Sequence, residues 1–179
     1  MATRAAGETR TGWQHEVYDL LRRHAVTQFG YVPDAGHSIL IERSLTDPDV
    51  HSIALTTEEE GVALLAGADL GGERGVLLMQ SSGVGNCINT LGMMKTCQFP
   101  FLTIVTMRGE FGEFNPWQVP MGTATPASLE IAGVVVHRAS EAARVGEVVA
   151  GAARIAFSSY CAVAVLLPQE LIGAKTFGK

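Results

Sequence analysis

The chain has 179 residues, 47% of them apolar and 17% charged, the profile of one globular domain with a sizeable buried core. Its formal charge of −5 and the lack of any basic cluster argue against nucleic acid as a partner. No apolar run approaches a membrane span, and Cys87, Cys97 and Cys161 are too few and too dispersed for a disulfide framework or a zinc site, so they are expected to be buried structural thiols.

Residues 1–12 are polar, small and basic, without the apolar stretch of a secretory leader, and are expected to be a disordered lead-in to a cytoplasmic protein. Trp13, Val17, Leu20, Leu21 and His24 fall on one side of an amphipathic helix over 13–29. A short strand at Tyr31-Val32 ends at Pro33-Asp34, and a helix over 38–45 is broken by Asp47-Pro48-Asp49. There follow a strand over 50–55, a helix over 58–70 closed by Gly71-Gly72, a strand over 75–79 and a glycine-opened helix over 83–96. Residues 99–106 form a continuous apolar strand, as burial on both faces requires.

The segment 108–123 breaks this rhythm. It holds Gly109, Gly112, Pro116, Trp117, Pro120 and Gly122, and is expected to be a long ordered loop or lid. A helix over 126–132, a strand over 134–137, a helix over 141–157 and a strand over 162–167 complete the pattern. The alternation predicts an α/β fold: a doubly wound, mostly parallel sheet of six strands with helices on both faces, formed by residues 13–179 as one domain.

Two segments stand at strand ends that open into helices, where parallel sheets place their ligands. In the first, Thr57-Glu58-Glu59-Glu60-Gly61 sets three carboxylates at a helix start. Negative charge is favoured there by the helix dipole, so the triplet reads either as capping on a solvated turn or as one carboxylate held inside a cleft, where it can share a proton with a ring nitrogen. In the second, Gln80-Ser81-Ser82-Gly83-Val84-Gly85-Asn86 offers a small, glycine-rich surface that a flat ligand can approach, or simply a tight turn. It matches neither the GxGxxG nor the GxxxxGK[ST] pattern, so no dinucleotide or P-loop nucleotide is indicated. His15, His24, His51 and His137 have no metal-ligand spacing and receive no role.

Taken in order, Gly30-Tyr31-Val32-Pro33-Asp34, Thr57 to Val62 with Ala66-Gly67-Ala68, Leu78 to Asn86, Arg108-Gly109 and Pro120-Met121-Gly122 form one series. The series resembles the pyrimidine-binding domain of thiamine-diphosphate-dependent decarboxylases, above all the α subunits of sulfopyruvate decarboxylases and the matching half of phosphonopyruvate decarboxylases. The resemblance implies that a glutamate at the start of the 58–70 helix activates the cofactor through its aminopyrimidine ring. Counting back from Ala66-Gly67 assigns that role to Glu59, with Glu58 and Glu60 as capping or interface groups. It further implies that Pro33, Gln80, Ser82, Gly83 and Asn86 line the cofactor slot, and that His37, Gln80, Ser81 and Arg108 are the candidate substrate contacts. His37 reads equally as a helix-cap or surface histidine. A planar guanidinium suits a sulfonate or phosphonate, yet Arg108 reads equally as a bridge between subunits, and Glu110 and Glu113 lie close enough in sequence to pair with it.

The family's Gly-Asp-Gly segment with its downstream Asn, which holds diphosphate and Mg²⁺, does not occur in this sequence. The resemblance therefore implies a split enzyme, whose separate β subunit holds the diphosphate and Mg²⁺ of thiamine diphosphate; no metal ligand is assigned to this chain. The implied reaction is decarboxylation of 3-sulfopyruvate or 3-phosphonopyruvate to the aldehyde and CO₂. The alternatives are a decarboxylase or carboligase subunit acting on another 2-oxo acid, a non-catalytic partner subunit, and, from fold alone, a flavodoxin-like small-molecule binder.

Overall fold

The computed structural model describes residues 12–174. Apart from Gly12, the expected lead-in over 1–12 lies outside the described residues. The chain runs α1 (Trp13–Arg23), β1 (Val26–Tyr31), α2 (Ser38–Thr46), β2 (His51–Ala54), α3 (Glu58–Leu70) and β3 (Arg74–Gln80). It continues through α4 (Ser81–Cys87), α5 (Gly92–Cys97), β4 (Phe101–Thr106), α6 (Val119–Ile131), β5 (Val135–Arg138), α7 (Val145–Ser159), β6 (Ala162–Leu167) and α8 (Gln169–Ile172). Among the described residues six strands form one sheet in the order β2-β1-β3-β4-β6-β5, and every pairing in it is parallel.

The period-2 alternation of the central strands builds a core on each face of this sheet. On one side Leu78, Ile104 and Val165 pack against Val17 and Leu21 of α1, Leu40 of α2 and Val149 and Ala153 of α7. On the other, Leu77, Met79, Val105 and Leu166 pack against Val62 and Leu65 of α3, Val84 of α4, Met94 of α5 and Leu129 of α6. The doubly wound architecture expected from the alternation is therefore present. No helix among the described residues is long and apolar enough to cross a membrane.

Several boundaries differ from expectation. The helix expected over 13–29 stops at Arg23, because Ala25 takes a left-handed φ of 58° and Val26 enters the sheet between β2 and β3. Apolar residues at helical spacing carry straight across that break in sequence, which conceals it. The helix expected over 83–96 is two helices. Between them Gly92 N donates to Asn89 O and Met93 N to Thr90 O, so the backbone tightens into three-residue turns. The loop expected over 108–123 ends at residue 118, and α6 begins seven residues earlier than the expected 126. Pro120 sits in its first turn, where a missing N–H costs nothing, and Pro126 is accommodated inside it.

After β1 the chain turns outward to β2, then returns past β1 to lay down β3. The point where the winding reverses, between the C-terminal ends of β1 and β3, is where doubly wound sheets open a crevice.

Candidate active site

Three strand ends are tied together at this crevice by one carboxylate. Asp34, just beyond β1, accepts from Gln80 Nε2 at 3.0 Å, from Thr106 Oγ1 at 2.8 Å and from Gly36 N at 3.1 Å. The last bond caps the turn Ala35–His37. Gln80 Oε1 in turn accepts from Ser82 Oγ at 3.0 Å, so the amide is oriented from both ends. Pro33 is exposed on the same turn. Asp34 is not among the site residues expected from the sequence; its signal there is an Asp directly after Pro at a strand end.

The glutamate triplet divides into three environments. Glu58, first residue of α3, is only 7% exposed. Its Oε2 accepts from Asn86 Nδ2 at 2.8 Å, and its carboxyl group lies so close over Gly83 that a Cβ there would overlap it. Glu60 accepts from Thr56 N at 2.9 Å and closes the helix start, while Glu59 is exposed. Of the three, the carboxyl turned into the glycine slot is that of Glu58, whereas Glu59, to which the resemblance assigned the cofactor, faces outward. The signal was present, since Glu58, Val62 and Leu65 follow one another at helical spacing and share the buried face. Cys87 lies beneath the slot, where burial and then the Glu58 charge push its thiol up to about 12, leaving it a neutral packing group.

Gln80, Ser82, Gly83 and Asn86 are brought together as expected at the start of α4, with Asn86 on the open side. The three other candidate substrate contacts are turned to structure instead. His37 is fully buried with its Nε2 3.2 Å from Met79 O, and burial lowers its pKa against the opposing Asp34 charge and that carbonyl. Ser81 is fully buried, its hydroxyl accepting from Arg108 N at 3.0 Å and its carbonyl accepting from Thr125 Oγ1 at 3.2 Å. Arg108 gives Nε and Nη2 to the two oxygens of Glu113, both at 2.6 Å.

Glu113 is the centre of the segment 109–118, which we call the strap. Its side chain is 3% exposed. Besides the Arg108 fork it accepts from Asn115 N, Gly109 N and Gln169 Nε2, and these donors, Arg108 first, hold its carboxyl at about 2. Glu110 pairs with Arg138 at 2.7 Å. Gly109 turns at a φ of 77° against the Gln118 carbonyl, a conformation and a closeness that no larger residue fits. The strap therefore folds inward on its polar groups and outward on Phe111, Phe114 and Trp117, all exposed.

Fold and crevice together define a doubly wound α/β domain with a buried carboxylate set at its switch point. The chain is 38% identical over 115 residues to the sulfopyruvate decarboxylase subunit alpha of Methanococcus maripaludis, covering 64% of this chain and 69% of that one. It is 36% identical over 108 residues to the phosphonopyruvate decarboxylase of Streptomyces viridochromogenes, covering 59% of this chain and 27% of the relative. A solved 2-oxoglutarate:ferredoxin oxidoreductase from Magnetococcus marinus superposes with a TM-score of 0.68 at 11% identity, over 90% of this chain and 29% of that one, which is a likeness of fold. No protein-family model matches the chain. The chain belongs to the family of sulfopyruvate decarboxylase α subunits.

Proposed function

We propose that this chain is the α subunit of a thiamine-diphosphate-dependent carboxy-lyase that converts 3-sulfopyruvate or 3-phosphonopyruvate to the corresponding aldehyde and CO₂. The observation that carries the reading is the buried Glu58 carboxyl over Gly83, steadied by Asn86. The donor set fits an aminopyrimidine ring. Oε2 of Glu58 is engaged by Asn86, Oε1 accepts no hydrogen bond among the described residues, and the bare Cα of Gly83 lets the carboxyl lie directly against the start of α4.

When bound, thiamine diphosphate supplies the nucleophilic carbon and the electron sink that decarboxylation of a 2-oxo acid requires. Glu58 is the residue that would exchange a proton with the cofactor's aminopyrimidine ring, and Asn86 fixes the angle at which that carboxyl is presented. Gln80, held by Asp34 and Ser82, presents its amide at the crevice, and the Asp34 carboxylate supplies negative charge beside it. A separate β subunit holds the diphosphate and Mg²⁺ and covers the outward apolar side of the strap.

Arg108 and Arg138 are both neutralised by carboxylates of the strap, so the cation that meets a sulfonate or phosphonate comes from the partner. The same neutralisation favours a second reading, a less anionic 2-oxo acid as substrate. A non-catalytic role is disfavoured, because burying the Glu58 carboxylate serves no packing purpose.

CO₂ release from sulfopyruvate and phosphonopyruvate, with Mg²⁺ and thiamine diphosphate, tests the reading. CO₂ is expected only when this chain is mixed with its β subunit. Release by this chain alone would refute the split site, and a mixture that binds cofactor yet leaves both acids intact would refute the substrates.

A further inference from the structure

Gln169 opens α8 directly after β6, and its side chain is fully buried. A primary amide carries an acceptor oxygen and two donor hydrogens, and this one gives its oxygen and one hydrogen to the strap. Its Oε1 accepts from Glu110 N at 3.2 Å and Phe111 N at 3.1 Å, and its Nε2 donates to Glu113 Oε2 at 3.0 Å. Its own backbone N–H donates to Glu110 Oε1 at 3.0 Å. The anchor is firm because β6 is paired along its length with β4, and Met107 N donates to Leu167 O at 2.9 Å.

The contacts continue to the crevice without a gap. Glu113 receives the Arg108 fork, Arg108 N donates to Ser81 Oγ, and Ser81 begins the helix that carries Ser82, Gly83 and Asn86. We propose that Gln169 is a positioning residue for the reaction: it fixes the strap in one register, and through Glu113, Arg108 and Ser81 it sets the rim of the slot that the 2-oxo acid crosses. The proposal rests on the decarboxylase reading given above.

Two substitutions separate the parts of this role. Leucine takes from the Glu110 and Phe111 N–H groups, and from one face of the Glu113 carboxylate, the partner that the amide gives them. Glutamate keeps the acceptor for Glu110 N and Phe111 N but sets a second carboxyl against Glu113, with Glu110 also close and the charges of Arg108 and Arg138 already taken. Protonated, that carboxyl donates to Glu113 as the amide did; ionised, it repels.

The test compares wild type, Gln169→Leu and Gln169→Glu in the complex with the β subunit, with sulfopyruvate and phosphonopyruvate as probes. Amide hydrogen exchange at Glu110 and Phe111 is followed in this chain alone. Gln169→Leu is expected to raise KM for the 2-oxo acid about tenfold at every pH, with kcat within about twofold and the thiamine diphosphate requirement unchanged. Gln169→Glu is expected to match wild type in acid and to approach Gln169→Leu as pH rises. Exchange at both amides is expected to quicken at least about tenfold in Gln169→Leu. A lowered melting temperature with KM and its pH profile unchanged would make Gln169 a packing residue and overturn the proposal, as would unchanged exchange. If wild type releases no CO₂ from either acid, the decarboxylase reading falls, and the exchange result alone decides whether Gln169 holds the strap.

Discussion

Asn86 Nδ2 lies 2.8 Å from Glu58 Oε2, a bond that joins the first turn of α3 to the last turn of α4. It makes the carboxyl a fixed group in a crevice otherwise built of small residues, and it separates Glu58 from the exposed Glu59 beside it. Glu58→Gln in the assembled enzyme is expected to lower kcat by about 10² to 10⁴, the usual range for loss of a proton-transferring group. Glu59→Gln is expected to stay within about twofold, as a surface substitution does. Steady-state CO₂ release with both variants decides the assignment; equal losses would undo it.

A methyl group at residue 83 has no space except that occupied by the Glu58 carboxyl. Gly83→Ala is expected to leave the chain folded at a cost of about 1 to 3 kcal/mol, the range for overpacking, while driving Glu58 away from Asn86. Calorimetric titration of thiamine diphosphate into the assembled variant is expected to show affinity reduced by at least about tenfold, against near-wild-type affinity for a Ser82→Ala control.

Acid is expected to loosen the strap through Glu113. Its carboxyl is ordinarily at 4.5 and is held at about 2 here, chiefly by Arg108. The unfolded chain therefore binds this proton more readily than the folded one, so the stabilisation is complete above pH 4.5 and is lost as pH falls towards 2. Glu113→Gln is expected to melt below wild type at pH 7, with the gap closing across that window. Parallel melting curves from pH 7 to pH 2 would show that the ion pair contributes nothing to stability.

Trp117 is 85% exposed and Phe111 53%, on the side of the strap turned away from Glu113. Replacing both with serine is expected to change the melting temperature of the isolated chain little, since neither side chain is packed. The same change is expected to weaken association with the β subunit by at least about tenfold, because exposed aromatic clusters are typical anchors of an interface. Analytical ultracentrifugation of the mixture reads the result; unimpaired assembly would move the interface elsewhere.

The fold was legible wherever one period dominated. The strand Ala162–Leu167 and the helix Glu58–Leu70 could be read to the residue, because an unbroken apolar run and an acidic helix start with terminal glycines each admit one interpretation. Ala25 is a place where local preference gave no warning: alanine favours helix, and only the insertion of Val26 into the sheet forces the left-handed turn. At the site, residue types were more legible than positions. A glutamate, a glycine floor and an amide were all expected; what points to Glu58 rather than Glu59 is the helical spacing of Glu58, Val62 and Leu65, which a count back from Ala66-Gly67 does not weigh. Asp34 and Gln169 owe their roles to partners 46 and 59 residues away, which no local pattern contains, whereas the pairing of Arg108 with Glu113 lay within reach of the sequence.

Because every pairing in the sheet is parallel, no two of these strands meet through a hairpin. Each contact between neighbours waits for an intervening crossover to collapse, so the chain acquires its order late and slowly for its size. Glu58 and Asn86, which lie on either side of β3, meet only once that strand is seated beside β1. The crevice therefore exists only once that tertiary pairing does, and neither α3 nor α4 alone holds a site of its own.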